Sequence, residues 1–232
     1  MIKLFCIPHS GASAAVYSKW SKLFQENIQV VPIELAGHGT RINETCYKDV
    51  ESSAKDIAQK ISGLICGEDY AIWGHSLGSL LAFETYYQLM ELNIKKPLHM
   101  FFSGRKAPND GNNETHFYQL PDDEFAEAVE TYGGTTKEVF DNEILKELFL
   151  PILRADFEMG ETYKYKEKER KIACDITIVN GKDDLSVSQS DMKIWNTCNE
   201  GTCNIKYYNG GHFYLFESCE EVIKLIQDTL VS

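Results

Sequence analysis

Short apolar runs alternate along this chain with stretches in which apolar residues return every three or four positions. Leu4 to Pro8 predicts a buried strand, and Ala14 to Phe24 predicts a helix with Val16, Trp20, Leu23 and Phe24 on one side. Ile28 to Ile33 gives a second strand, Glu34 to Thr45 a polar, Gly-containing loop, and Val50 to Ile65 a helix carrying Ile57, Ile61, Leu64 and Ile65. Tyr70 to Trp73 is a short strand that turns into a helix with Leu80, Phe83, Tyr87 and Met90 on one face, and Leu98 to Ser103 is a further strand. After a long interruption the strand rhythm returns at Ala173 to Asn180 and Cys203 to Tyr208. Predicted helices follow at Ser190 to Thr197 and Ser218 to Leu230. Strands alternating with helices argue for an α/β fold built on a mostly parallel sheet.

Residues 107–169 break the rhythm. They contain no strand pattern, but Asp122 is placed to cap a helix carrying Phe125, Ala126 and Val129. Asp141 is placed to cap another carrying Ile144, Leu145, Leu148 and Phe149. Pro151 predicts a break or kink before Ile152 to Tyr163. The whole chain, residues 1–232, reads as one domain, with 107–169 as a helical lid inserted over the site.

The most specific chemistry lies at Gly74-His75-Ser76-Leu77-Gly78, where the third strand meets its helix. Gly-x-Ser-x-Gly between strand and helix is the form of a nucleophile elbow, which exposes a serine hydroxyl on a tight turn. Side chains at Gly74 or Gly78 would meet backbone as the chain reverses. A serine hydroxyl needs a histidine to take its proton, and that histidine needs a carboxylate to fix its tautomer. The α/β-hydrolase order of serine, acid, histidine is available as Ser76, Asp184, His212, the last two each just after a predicted strand. Asp183 competes with Asp184, which is preferred from the Gly181-Lys182-Asp183-Asp184 spacing. His9 and His38 follow early strands and are placed to line a pocket; His75 leaves the elbow in another direction, His99 reads as structural, and His116 sits in a polar loop. The backbone N–H of Leu77 and one from His9 or Ser10 are the expected oxyanion donors.

The bulk numbers narrow the setting. A net charge of −12 argues against nonspecific nucleic-acid binding and favours solubility. Seven scattered cysteines with no Cys-x-x-Cys and no zinc spacing suit a reducing cytoplasm. The amino terminus lacks a secretory pattern, and no apolar run approaches the ~20 residues a bilayer span needs. On that expectation the Asn-x-Thr sites at Asn43 and Asn113 are incidental.

Six segments together resemble one family. Pro8-His9-Ser10-Gly11-Ala12-Ser13-Ala14 is similar to a Pro-His-Ala-Gly-Gly-Ser-Ala loop, with Ala12 in place of a glycine. Glu34 to Arg41 stands where the family has Pro-Gly-Arg-Gly-x-Arg and departs most around His38 and Arg41. The elbow with Ala82-Phe83-Glu84, Ser103-Gly104-Arg105-Lys106-Ala107-Pro108, Pro151-Ile152-Leu153-Arg154-Ala155-Asp156-Phe157, and Gly210-Gly211-His212-Phe213 supply the rest. The chain thus resembles the type II thioesterases that accompany nonribosomal peptide and polyketide synthases. The resemblance implies an α/β-hydrolase fold and hydrolysis of acyl groups from the phosphopantetheine thiol of carrier domains, with no metal or organic cofactor. A cytoplasmic monomer whose partner is a synthase carrier domain is the corresponding expectation. A small-molecule carboxylesterase with the same triad, or a noncatalytic binding protein of the same fold, are the alternatives. Arg105, Arg154 and Asp156 read as structural ion-pairing residues.

Overall fold

The computed structural model describes residues 1–24, 26–111, 116–131, the backbone of 132, and 140–231; the Asn113 site lies outside them. Six parallel strands form one sheet in the order β2-β1-β3-β4-β5-β6, with β1 at Ile2–Ile7, β2 at Ile28–Pro32, β3 at Tyr70–His75, β4 at His99–Ser103, β5 at Asp175–Gly181 and β6 at Cys203–Tyr208. This is the α/β-hydrolase-like architecture expected from the alternating pattern.

Period-two alternation sends side chains to opposite faces of the sheet. Phe5, Ile7, Tyr70 and Ile72 join one apolar cluster with Ile57 and Ile61 of helix α2 (Val50–Leu64) and Leu81 and Tyr86 of α3 (Leu77–Glu91). Leu4, Cys6, Ala71 and Trp73 join the other, with Trp20 of α1 (Trp20–Leu23) and, from the carboxyl-terminal helix Cys219–Leu230, Val222 and Ile226. Because both faces are covered, the central strands β3 and β4 are buried throughout and mostly apolar, as parallel sheets require.

The predicted helix over 14–24 is two pieces, a 3-10 turn at Ala14–Tyr17 and the single turn α1. Tyr17 and Trp20 both point into the core, stacked edge to face at 5.0 Å, and the Tyr17 hydroxyl donates to the Ile7 carbonyl. Three-residue spacing meets that demand in a tighter turn, since residues i and i+3 eclipse there. Leu23, expected on the buried side, is exposed.

Between β4 and β5 the described residues hold helices and no strand: α4 (Asp122–Tyr132) and α5 (Glu143–Glu161). Asp122 is the first residue of α4 and pairs with Arg154 at 2.7 Å. The cap of α5 falls on Asn142 rather than Asp141; its side chain accepts from the Ile144 and Leu145 amides. Pro151 does not end α5, which runs through it for 19 residues. The missing N–H costs a hydrogen bond, but Leu150, Ile152 and Leu153 on either side of the proline are buried, which offsets the loss. Leu150 and Leu153 meet Phe125 and Val129 in a small core of their own. Arg154 ties the helices together, donating to the Tyr118 and Leu120 carbonyls and lying 4.5 Å over the Phe125 ring. Its role is structural.

Before β6, a capping box between Ser188 and Asp191 starts α6 (Gln189–Ile194), which tightens into a 3-10 turn at Trp195–Thr197. After β6, a single turn, α7 (Tyr214–Glu217), precedes α8 (Cys219–Leu230). No helix among the described residues is long and apolar enough to cross a membrane.

Candidate active site

All the candidate residues lie beyond the carboxyl ends of strands. In a parallel sheet those ends share one edge, and the strand order reverses direction between β1 and β3. Ser76 follows β3 directly, and His9 follows β1.

Ser76 holds φ 54° and ψ −117°, a conformation disfavoured for any residue with a Cβ. Two glycines make the turn possible. A Cβ on Gly74 would stand 2.2 Å from the Gly78 carbonyl oxygen, and one on Gly78 would stand 2.2 Å from the Ile7 oxygen. The steric reading of the motif is therefore literal: strand, helix and the end of β1 touch backbone to backbone. Gly78→Ala should cost about 1–3 kcal/mol in thermal or denaturant unfolding, because no flexible side chain is available to yield.

His212 Nδ1 lies 2.8 Å from Asp184 Oδ2, with both side chains buried. The carboxylate only accepts, so Nδ1 is the ring nitrogen that carries the proton in this contact. Asp184 Oδ1 accepts from the Ser186 amide at 2.9 Å and from its hydroxyl at 2.6 Å. Burial alone would raise the Asp184 carboxyl, but the bonds and charge of His212 and the Ser186 donors hold it below the ordinary aspartate value. Asp183 is exposed and reaches no imidazole; of the two competing acids, Asp184 is the one against His212. Gly181 explains how the two loops meet, since a Cβ there would fall 2.2 Å from the Gly211 oxygen.

Ser76 and His212 line one pocket of about 160 Å³, together with Gly104, Arg105, Lys106, Gly160, Tyr163 and Ser186. The sequence reading missed Ser186; its signal was a serine two residues after an aspartate, the spacing of a local side-chain-to-backbone turn. It also gave Arg105 only a structural part, although Arg105 faces this pocket.

The remaining histidines separate cleanly. His75 is fully buried, with Nδ1 2.8 Å from the Ser103 hydroxyl, which in turn meets the Tyr214 hydroxyl at 2.6 Å. Burial holds its pKa well below the usual value, and the nearby His212 and His9 push the same way. His9 packs edge to face on Phe213 at 4.8 Å; burial, then His212, lowers it to about 3. Both rings are neutral and neither lines the pocket. His99 bonds Thr177 across β4 and β5. His38, expected near the pocket, instead pairs with Asp156 at 2.9 Å. As the first residue of α3, Leu77 has an amide with no acceptor inside the helix. The His9 and Ser10 amides donate to no acceptor among the described residues.

Comparison with known proteins gives this geometry a family. A model of the "Thioesterase domain" matches residues 2–230. Linear gramicidin dehydrogenase LgrE of Brevibacillus parabrevis is 33% identical, covering 100% of this chain and 88% of its own length. Among solved structures, ClbQ from the colibactin NRPS/PKS pathway superposes with a TM-score of 0.94 at 33% identity, covering 99% of this chain and 96% of that one. The type II thioesterase BorB from the borrelidin biosynthetic cluster does so with a TM-score of 0.90 at 28% identity, covering 99% and 92%. The sheet, the serine elbow and the match across nearly every residue agree: this chain belongs to the thioesterase domain family.

Proposed function

We propose that this chain is a type II thioesterase, a serine hydrolase that removes acyl groups from the phosphopantetheine thiol of synthase carrier domains. The observation that carries the reading is the serine elbow together with His212, which lines one pocket with Ser76 and is backed by Asp184. BorB and ClbQ, by their descriptions a type II thioesterase and a protein of an NRPS/PKS pathway, support the substrate class. Although LgrE carries the name of a dehydrogenase, a hydroxyl, an imidazole and a carboxylate together are the equipment of acyl transfer.

In this mechanism Ser76 Oγ attacks the thioester carbonyl while His212 Nε2 takes its proton. The oxyanion is met by the Leu77 N–H and one from His9 or Ser10. The carbon–sulfur bond breaks, the pantetheine leaves as a thiol after receiving the proton from His212, and the acyl group stays on Ser76. Water then gives a proton to His212 Nε2 and attacks the acyl-enzyme; collapse returns that proton to Ser76 Oγ and releases the acid. Asp184 holds the imidazole in the tautomer that each transfer requires.

Residues 107–169 are assigned as a lid inserted in a single domain, 1–232. Support comes from Gly160 and Tyr163, which wall the pocket from the α5 side. The chain is read as a cytoplasmic monomer acting on a carrier-domain partner, without membrane or nucleic acid. The test compares an acylated phosphopantetheinyl carrier with a simple oxygen ester of the same acyl group. Higher kcat/KM on the carrier is expected; preference for the free ester would favour a carboxylesterase.

A further inference from the structure

A second buried histidine–carboxylate pair lies outside the pocket. His38 is 2% exposed, with Nε2 2.9 Å from Asp156 Oδ2 and Nδ1 3.0 Å from the Ala36 carbonyl. A carbonyl and a carboxylate only accept, so both ring nitrogens must carry protons and the ring is an imidazolium. Burial works against that charge, but the bond to Asp156, its negative charge and the Ala36 carbonyl together raise His38 above its usual value. Glu34 is the other carboxylate acting on the ring, and the Cys46 thiol packs against the same loop at Gly37.

The same Oδ2 of Asp156 accepts from the Gly11 N–H at 2.7 Å. One carboxylate oxygen, carried by α5, therefore fastens the loop after β1 and the loop after β2 to the inserted helix. Gly11 allows this approach: its φ is +72°, and a Cβ there would stand 2.4 Å from Leu153 of α5. Gly11 follows immediately on His9 and Ser10, one of whose amides the proposed mechanism uses.

We propose that Asp156, locked by the His38 imidazolium, is a positioning residue that fixes the oxyanion-binding backbone of His9 and Ser10 from the inserted helix. Neither Asp156 nor His38 lines the pocket, so neither touches the reacting atoms. The inference rests on the acyl-transfer reading of Ser76. It adds that the helical insertion, besides walling the pocket, holds one side of the site in its working shape.

The experiment compares wild type, Asp156→Ala and Asp156→Asn on an acyl-phosphopantetheinyl thioester, with active sites counted by fluorophosphonate titration. The second readout is inhibition by an alkyl boronic acid, whose anionic tetrahedral serine adduct places one of its oxygens where the oxyanion would sit. Asp156→Ala should lower kcat per titrated site by about 10–100-fold with KM changed less than about 3-fold, and boronate affinity should fall in parallel. Asp156→Asn, whose amide oxygen can still accept both N–H groups, should recover kcat to within about 5-fold of wild type. His38→Gln, a milder change, should lower kcat and boronate affinity together, and it carries the test if Asp156→Ala does not fold. Fewer titratable sites or lower thermal stability, with unchanged kcat and boronate affinity per site, would overturn the proposal. Wild-type turnover that survives Ser76→Ala would instead overturn the acyl-transfer reading, so the two failures are distinct.

Discussion

Ser76→Ala lowers acyl-thioester hydrolysis by about 10⁴–10⁶-fold per enzyme, the scale on which removing a triad serine acts. The loss follows from the chemistry: without Oγ no acyl-enzyme forms, and only direct attack by water, helped by the oxyanion amides, remains. Folding should be nearly untouched. The Ser76 hydroxyl has no hydrogen-bond partner among the described residues, and alanine meets the same backbone demand at φ 54° that serine already tolerates. A melting temperature within about 2 °C of wild type, together with collapsed turnover, separates lost chemistry from lost structure.

Asp184→Asn should cost about 10⁴-fold in kcat, whereas Asp183→Asn should stay within about 2-fold. An asparagine at 184 can turn its NH₂ toward His212 Nδ1, which moves the imidazole proton to Nε2 and removes the lone pair that must accept from Ser76. Asp183 is exposed and makes no contact with the ring. The same residue predicts a pH effect on stability. Because the folded Asp184 carboxyl lies below its ordinary value, its contribution is complete above about pH 4 and is lost as pH falls through the lowered value. Asp184→Asn should therefore flatten the acid side of the stability profile. Equal activity losses in the two variants, measured side by side, would contradict the assignment of the acid.

Much of the site was legible because its chemistry is local in sequence. The elbow glycines announce a backbone crowding that the structure shows at 2.2 Å. Ser76, Asp184 and His212 each follow an apolar run that reads as a strand, and parallel strands deliver their ends to one edge. What stayed hidden depends on long-range pairing. Nothing near His38 in the chain identifies Asp156, 118 positions away, as its partner. Pro151 was expected to break or kink its helix, and it does not break it; local rules count the lost hydrogen bond and cannot see Leu150 and Leu153 buried against α4. The 14–24 helix failed for a similar reason: the core required Tyr17 and Trp20 on one side, and the turn tightened to supply it. Asp183 and Asp184 differ by one position, and only the closing of the Gly181 and Gly211 loops turns one of them inward.

The central claim is that Ser76 is the residue that carries the acyl group. The most direct measurement is to label the enzyme with one equivalent of a fluorophosphonate, follow thioester hydrolysis as the label is taken up, and map the adduct by peptide mass spectrometry. The account predicts a single adduct on Ser76 and hydrolysis that disappears in proportion to it. A stoichiometric adduct on another residue, or full hydrolysis by protein labelled at Ser76, would contradict it.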